Sequence, residues 1–356
     1  MPEAQFNQPL VPTFDVLING TPLAATDLAY VTSVAVDDSL DLPSMFTIEL
    51  AGADTLSDPL PWVDDKRFSV GAAVGIKFGY GDKMETIFSG EIAGLEPQFA
   101  FDRLPSLTVR GFDRRHRLMR GRKTRAFLKQ KDSAIASQIA GEAGLTAQTT
   151  DSKVTHDYIV QANQTNWEFL LSRALHIGYE IAVDDKTLHF RPVANASGEK
   201  LSMSFPEDLL EFYPRLASSG QVNEVTVRGW NVKDKKEITG KAKTGDENSK
   251  MGGDQSGGAL AQKAFGAASE LIAALPVTNQ AEADQIAKGW FNRTSLLLIT
   301  GEGFCYGRTD LRAGQVIKLD GLGERFSGSY YIVSALHRLT PDRGYQTQFT
   351  VRRNAS

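Results

Sequence analysis

Nearly one five-residue word recurs along the chain: Leu-Thr-Val-Arg-Gly at 107–111, Val-Thr-Val-Arg-Gly at 225–229 and Phe-Thr-Val-Arg-Arg at 349–353. The recurrence is ordered. One stretch runs Gly71, Val74, Ile76, Lys77, then Phe88-Ser89-Gly90, an apolar strand to Leu95, and the word at 107–111. A second runs Gly314, Val316, Ile317, Lys318, then Phe326-Ser327-Gly328, an apolar strand to Leu336, and the word at 349–353. β propensity alone writes Val-Thr-Val-Arg in many proteins. Agreement in the order of five elements is a stronger constraint, and it predicts a duplicated β-barrel in which 72–111 matches 314–353. Residues 226–229 would then be an additional strand of the second unit. Repeats of this kind stack or close into rings.

The text between the two copies differs in texture. Phe14, Val16 and Ile18 alternate before Asn19-Gly20, a hairpin signal because both residues tolerate positive φ. Strand-like runs follow at 45–50, 73–78, 85–95 and 106–111. At 132 the period changes: Asp132 can cap a helix with Ile135, Ala136, Ile139, Ala140 and Ala143 on one face, stopped by Gly144. Thr165-Asn166-Trp167-Glu168 is a capping box opening a second helix, and Gly178 closes it. Tyr179, Ile181 and Val183 then alternate toward a turn at Asp184-Asp185-Lys186, with Leu188 and Phe190 returning.

The predicted fold is therefore mainly β with an α+β insert: two tube-like β-barrel domains plus a small α/β domain. Its expected domains are 1–118, a first barrel; 119–198, an insert of helix, helix and β-hairpin; and 199–356, a second barrel. The third would carry a mobile loop at 240–258, where Met251 is the one large apolar residue, because such a stretch cannot bury enough to order itself. A helical excursion follows over 259–295, its second helix capped by Asn279. A chain of 356 residues exceeds what one core usually serves.

Charge is unevenly spread. Between Arg110 and Lys131 lie ten Lys/Arg and a single acid, Asp113; that segment carries +9 and leaves −13 for the rest of a chain of net charge −4. Such a block is a nucleic-acid footprint, a surface for an acidic partner, or a solvated face. Aromatic interleaving is thin (Phe112, Phe127), which disfavours nucleic acid. Guanidinium forks suit carboxylates, whether they connect barrel to insert or pair with a neighbouring subunit, so Arg110, Arg114, Arg115, Arg117, Arg120, Arg122 and Arg125 are the candidate structural and interface residues.

Catalytic chemistry finds little to stand on. His116, His156, His176, His189 and His337 include no HExxH and no pair four apart, so no metal site is expected. No Gly-Lys-Ser/Thr follows the glycines of the 79–82 or 301–307 stretches, so no phosphate cradle and no cofactor is expected. A glycosidase would need two placed carboxylates, and none of the 43 acids is singled out. Cys305, the single cysteine, suits a reducing compartment. The first sixteen residues lack the basic and apolar regions of a leader peptide, and no apolar run is long enough to cross a bilayer. The expectation is a non-enzyme folded in a cytoplasm.

The run from Val109 to Phe127 leading into Lys131-Asp132-Ser133, the Asn166-Trp167-Glu168-Phe169-Leu170 helix start, and the closing Gly344-Tyr345-Gln346-Thr347 resemble the phage late control D / VgrG family, over about residues 14–353. The resemblance implies a central baseplate hub of a contractile injection machine, a phage tail, tailocin or related system. It implies a homotrimer whose six barrels match a hexameric inner tube, with a separate spike protein beneath, a tape-measure or cargo protein as a further partner, and no membrane insertion. Assembly in a bacterial cytoplasm, then incorporation in the particle, follows from the same resemblance. The competing classes are a surface- or carbohydrate-binding β module and a tail-associated cell-wall hydrolase.

Overall fold

A computed structural model describes residues 11–52, 61–102 and 104–356; residues 1–10, on which much of the leader-peptide reading rests, lie outside these. The first unit holds β1 (Pro12–Ile18), β2 (Thr21–Pro22), the short helix α1 (Ala25–Leu28), β3 (Val31–Ser39), β4 (Met45–Ala51), β5 (Ala73–Tyr80), β6 (Lys83–Gln98) and β7 (Ser106–Phe112). Asn19 and Gly20 take φ of 52° and 82° between β1 and β2, as the hairpin signal requires. The strands pair in the order β1-β5-β6-β7-β4-β3. Alternate residues point inward, so Phe46, Ile48, Leu50, Ile76, Phe78 and Val109 form one buried core.

The insert follows a 3-10 turn at Arg114–Met119. It comprises β8 (Lys123–Lys131), helix α2 (Asp132–Glu142), β9 (Thr146–Thr149), β10 (Thr155–Gln164), helix α3 (Asn166–His176), β11 (Tyr179–Asp184) and β12 (Thr187–Pro192). Thr165 and Glu168 make the predicted capping box in both directions. Asp132, by contrast, is the first residue of α2 and not its cap, which is Lys131. Its carboxylate is taken by Arg173 at 2.6 Å.

Beyond the insert lie β13 (Glu199–Ser204), β14 (Leu209–Leu216), β15 (Glu224–Asn231), β16 (Lys236–Lys243), helix α4 (Gly257–Phe265), β17 (Ser269–Ile272) and helix α5 (Gln280–Ser295). The chain ends with β18 (Ile299–Tyr306), β19 (Val316–Asp320), the short α6 (Gly323–Phe326), β20 (Gly328–Thr340) and β21 (Gly344–Arg353). The fold is thus mainly β, with large antiparallel sheets and a smaller α/β portion.

The duplication is visible in strand order. β5-β6-β7-β4-β3 is repeated as β19-β20-β21-β18-β14. The irregularities repeat as well: a bulge between Ile92 and Gly94 recurs between Ile332 and Ser334, and one between Val31 and Ser33 recurs between Leu209 and Glu211. Gly71 donates to Ile92 O at 2.8 Å, and Gly314 to Ile332 O at 2.9 Å. The sixth strand breaks the match, since β1 pairs antiparallel with β5 whereas β13 runs parallel to β19.

Word by word, however, the repeat slips. The ladders place Thr108-Val109-Arg110 opposite the same rungs as Gln348-Phe349-Thr350, two residues before the Thr350-Val351-Arg352 word. A two-residue slip leaves every side chain on its own face, so the pattern cannot detect it. The word at 225–229 lies in neither barrel. It is in β15, which pairs with β16 and β17 in a separate three-stranded sheet. Val225 and Val227 pack there under Ala283, Ile286 and Phe291 of α5, in a core of their own. That third occurrence therefore does not extend either copy of the duplicated strand order.

The stretch 240–258 also departs from expectation. Residues to 243 belong to β16, and 257 onward to α4. What lies between is stitched to the C-terminus: Asp254 and Gln255 donate to Ser356 O, Gly257 donates to Asn354 O, and Asn354 Nδ2 donates to Ser249 O. Met251 is buried against Leu296, Tyr331 and Val333. Backbone pairing supplies the order that composition could not. The expected helical excursion over 259–295 is likewise interrupted, since 269–272 is strand β17.

Candidate functional site

The basic segment begins where the chain leaves the first barrel. Asp113 caps the 3-10 turn, accepting from Arg115 N–H at 2.8 Å and from Ser44 N–H at 2.9 Å. The Arg115 guanidinium then donates to Asp113, to Ser39 O at 2.7 Å and to Ser44 Oγ at 2.7 Å, while sitting 5.9 Å from the Trp167 ring of the insert. Its side chain is 2% exposed. Arg114 bridges Glu91 and Asp185, and Arg117 and His116 also converge on Glu91. Burial alone would raise the Glu91 carboxyl, but hydrogen bonds from Arg117 and His116 hold it below the usual carboxylate range.

Farther along, Arg122 reaches Glu168 at 2.8 Å and Arg125 reaches Glu142 at 2.6 Å and Gln161 at 2.8 Å. Burial opposes ionisation of Glu142, yet hydrogen bonds from Arg125 and Lys123 bring it down to about 2. Arg114, Arg115, Arg117, Arg122 and Arg125 therefore all find their acceptors within this chain. Within the chain they connect the first barrel to the insert, as expected, and brace the insert itself. Of the other two, Arg110 faces out from β7 and pairs across the sheet with Glu96 at 3.2 Å. Arg120 is exposed.

The histidines and the cysteine are packed, each for its own reason. His337 is buried, with Nδ1 2.8 Å from Tyr345 Oη, and burial pushes it down to about 4. His176 and His189 are also lowered by burial, with help from Arg173 and Arg191 respectively. His156 has a carboxylate at each ring nitrogen, Asp132 and Glu282. Burial pushes the Cys305 thiol up to about 12, so it stays protonated. Among the described residues no three His, Cys, Asp or Glu side chains come together as a metal set. A cavity of about 90 Å³ lies where both barrels, α3 and α5 meet. The buried Glu180 carboxylate lining it is engaged by Tyr331 and Arg191.

What the geometry leaves open is at the sheet edges. Inside the chain the barrels are joined by β20 and β3, paired antiparallel from Ser334↔Ser39 to Leu339↔Val34. Tyr345, at the hairpin tip of the second barrel, packs into the core of the first, 4.9 Å from Phe78. At the far ends the corresponding edges have no strand beside them among the described residues. β14 ends the strand order, and past Ile92 β6 pairs with β7 alone. Around these edges Phe99, Phe101 and Leu104 at one end and Tyr213 at the other are exposed. Sequence reasoning passed over both edges. The signal lay in the tips: Phe99 stands where Leu339 stands in the second copy.

This architecture is that of phage tail proteins. The structure matches a 43 kDa tail protein of prophage MuSo2 from Shewanella oneidensis with a TM-score of 0.71 at 14% identity, covering 96% of this chain and 98% of that one. A tail protein from Neisseria meningitidis gives 0.69 at 12%, covering 96% and 97%. A type VI secretion system component from E. coli gives 0.60 at 13%, covering 96% and 77%. At such identities these likenesses establish the fold. By sequence, the chain belongs to the family described as the Alg8 N-terminal domain, whose model matches residues 8–341. No curated protein matches it in sequence. Among the described residues no helix is long and apolar enough to cross a membrane.

Proposed function

We propose that this chain is the structural hub of a contractile injection baseplate. A homotrimer of it would present six barrels to a hexameric inner tube and hold a separate spike beneath. The observation that carries this reading is the head-to-tail duplication. Two units of one strand order are joined through β20 and β3, and among the described residues the same two kinds of edge remain open at β6 and β14. A contact that joins unlike surfaces and leaves both free at the ends generates a ring when its rotation closes. Closure after three chains follows from the late control D / VgrG resemblance, and the shared tail-protein fold supports it. The role is geometric and needs no catalytic group: the chain converts sixfold tube symmetry into a threefold face. Native mass spectrometry and electron microscopy test the reading, with a three-chain ring that seeds tube polymerisation as the expected result. A monomer that binds cell-wall glycans would instead favour a surface-binding module.

A further inference from the structure

We propose that the free edges of β6 and β14 pair with each other between neighbouring copies, in the register the chain already uses between β20 and β3. This rests on the hub reading and assigns its subunit contact. The matching bulges fix which residues correspond. Glu96 stands where Leu336 stands, and Arg215 where Asp37 stands. The internal rung Leu336↔Asp37 thus becomes Glu96 of one copy opposite Arg215 of the next.

The residues brought together are complementary rung by rung. Leu95 meets Leu216, and both are only partly buried within their own barrels. Glu96 meets Arg215, opposite charges directly across an antiparallel pair; both are exposed, and Glu96, which holds Arg110 of its own chain at 3.2 Å, would be shared between the two guanidinium groups. Phe99 meets Phe212, and Phe99 is 69% exposed at the position whose counterpart, Leu339, packs against the first barrel core. None of these side chains is at its internal counterpart's identity, so the match is not inherited from the repeat itself. Pro97 falls opposite Pro214, at the rung where His337 faces Val36 inside the chain. Proline donates no N–H, so that rung makes no hydrogen bond and the ladder is carried by its neighbours. The same two prolines stop either edge from accepting an uninterrupted foreign strand.

The test is a cysteine pair, Glu96→Cys with Arg215→Cys in one chain. Directly opposed antiparallel residues lie about 4.5–5.5 Å apart at Cα, within disulfide reach. The native thiol is buried and protonated and does not compete. Leu336→Cys with Asp37→Cys is the control, because it bridges the same rung within one chain. Mild oxidation is expected to give a single covalent product of three chains. A three-chain native mass with no covalent link would overturn the pairing and leave the hub reading standing. A covalent ladder running past three would uphold the pairing and overturn the trimeric hub. A monomer with no link under all conditions would overturn both. Charge reversal gives a second readout: Glu96→Arg is expected to lose the assembly, and adding Arg215→Glu to restore it. Failure of the double reversal to restore a ring that the single reversal abolishes would count against the assigned rung.

Discussion

His156 Nδ1 lies 3.1 Å from Glu282 Oε1, across the boundary between the insert and helix α5. Its other ring nitrogen is 3.2 Å from Asp132 Oδ2, which Arg173 also holds. A carboxylate at each nitrogen favours the doubly protonated ring. Burial opposes that charge, but the hydrogen bonds to Asp132 and Glu282 outweigh it, and the repulsion from Arg173, and push His156 up to about 9.

The folded pKa is therefore above the unfolded value of about 6.5. The stabilisation is full below about pH 6.5, declines as pH rises, and is gone above about 9. It amounts to something on the order of 3 kcal/mol. Thermal melts of the wild type are expected to fall across that window, and melts of His156→Gln to start lower and fall less. Parallel pH profiles of the two proteins would remove this assignment.

Charge reversal in the basic segment is expected to damage folding before assembly. Arg115→Glu places a second carboxylate beside Asp113 in a site that is 2% exposed, and breaking a buried pair costs about 3–5 kcal/mol. Arg122→Glu touches an exposed pair and should cost no more than about 1 kcal/mol. Denaturant titration of the two single variants checks the contrast. Equal effects would mean that Arg115 is not the anchor between barrel and insert.

Gly289 sits in α5 directly against the turn that ends α3. A Cβ there would lie 2.5 Å from Gly178 N and 2.7 Å from Ile177 C. Both are backbone atoms and cannot swing aside. Gly289→Ala is expected to destabilise by about 1–3 kcal/mol through this wedge, although alanine is the better helix former. A more stable variant would show that the two elements separate readily.

Shortening the 244–256 connection should be costly. Met251 is 3% exposed and packs on Leu296 and Val333, so Met251→Ala is expected to lose about 2–5 kcal/mol. Deleting ten residues from this stretch would also strip hydrogen bonds from Asn354 and Ser356. Hydrogen exchange at Gly257 and at the C-terminal residues should then rise together. Unchanged exchange would return the segment to the status of a surface loop.

The sequence alone determined the local elements, because their signals are local. Asn19-Gly20, the Thr165/Glu168 box and the Asn279 cap each act within four residues, and each is where the pattern placed it. That the two copies share one strand order was also legible, since an ordered repeat copies topology along with words. Tertiary structure decided the rest. Period-two strands look the same after a two-residue slip, so the ladders, not the words, aligned Arg110 with Thr350 and sent the 225–229 word to a separate sheet. A guanidinium names no partner in sequence. Arg115 met Ser39 and Ser44, more than seventy residues away, because β3 and β4 end beside the 3-10 turn. The open edges were invisible for the same reason: an unpaired strand is defined by what the rest of the fold does not place beside it.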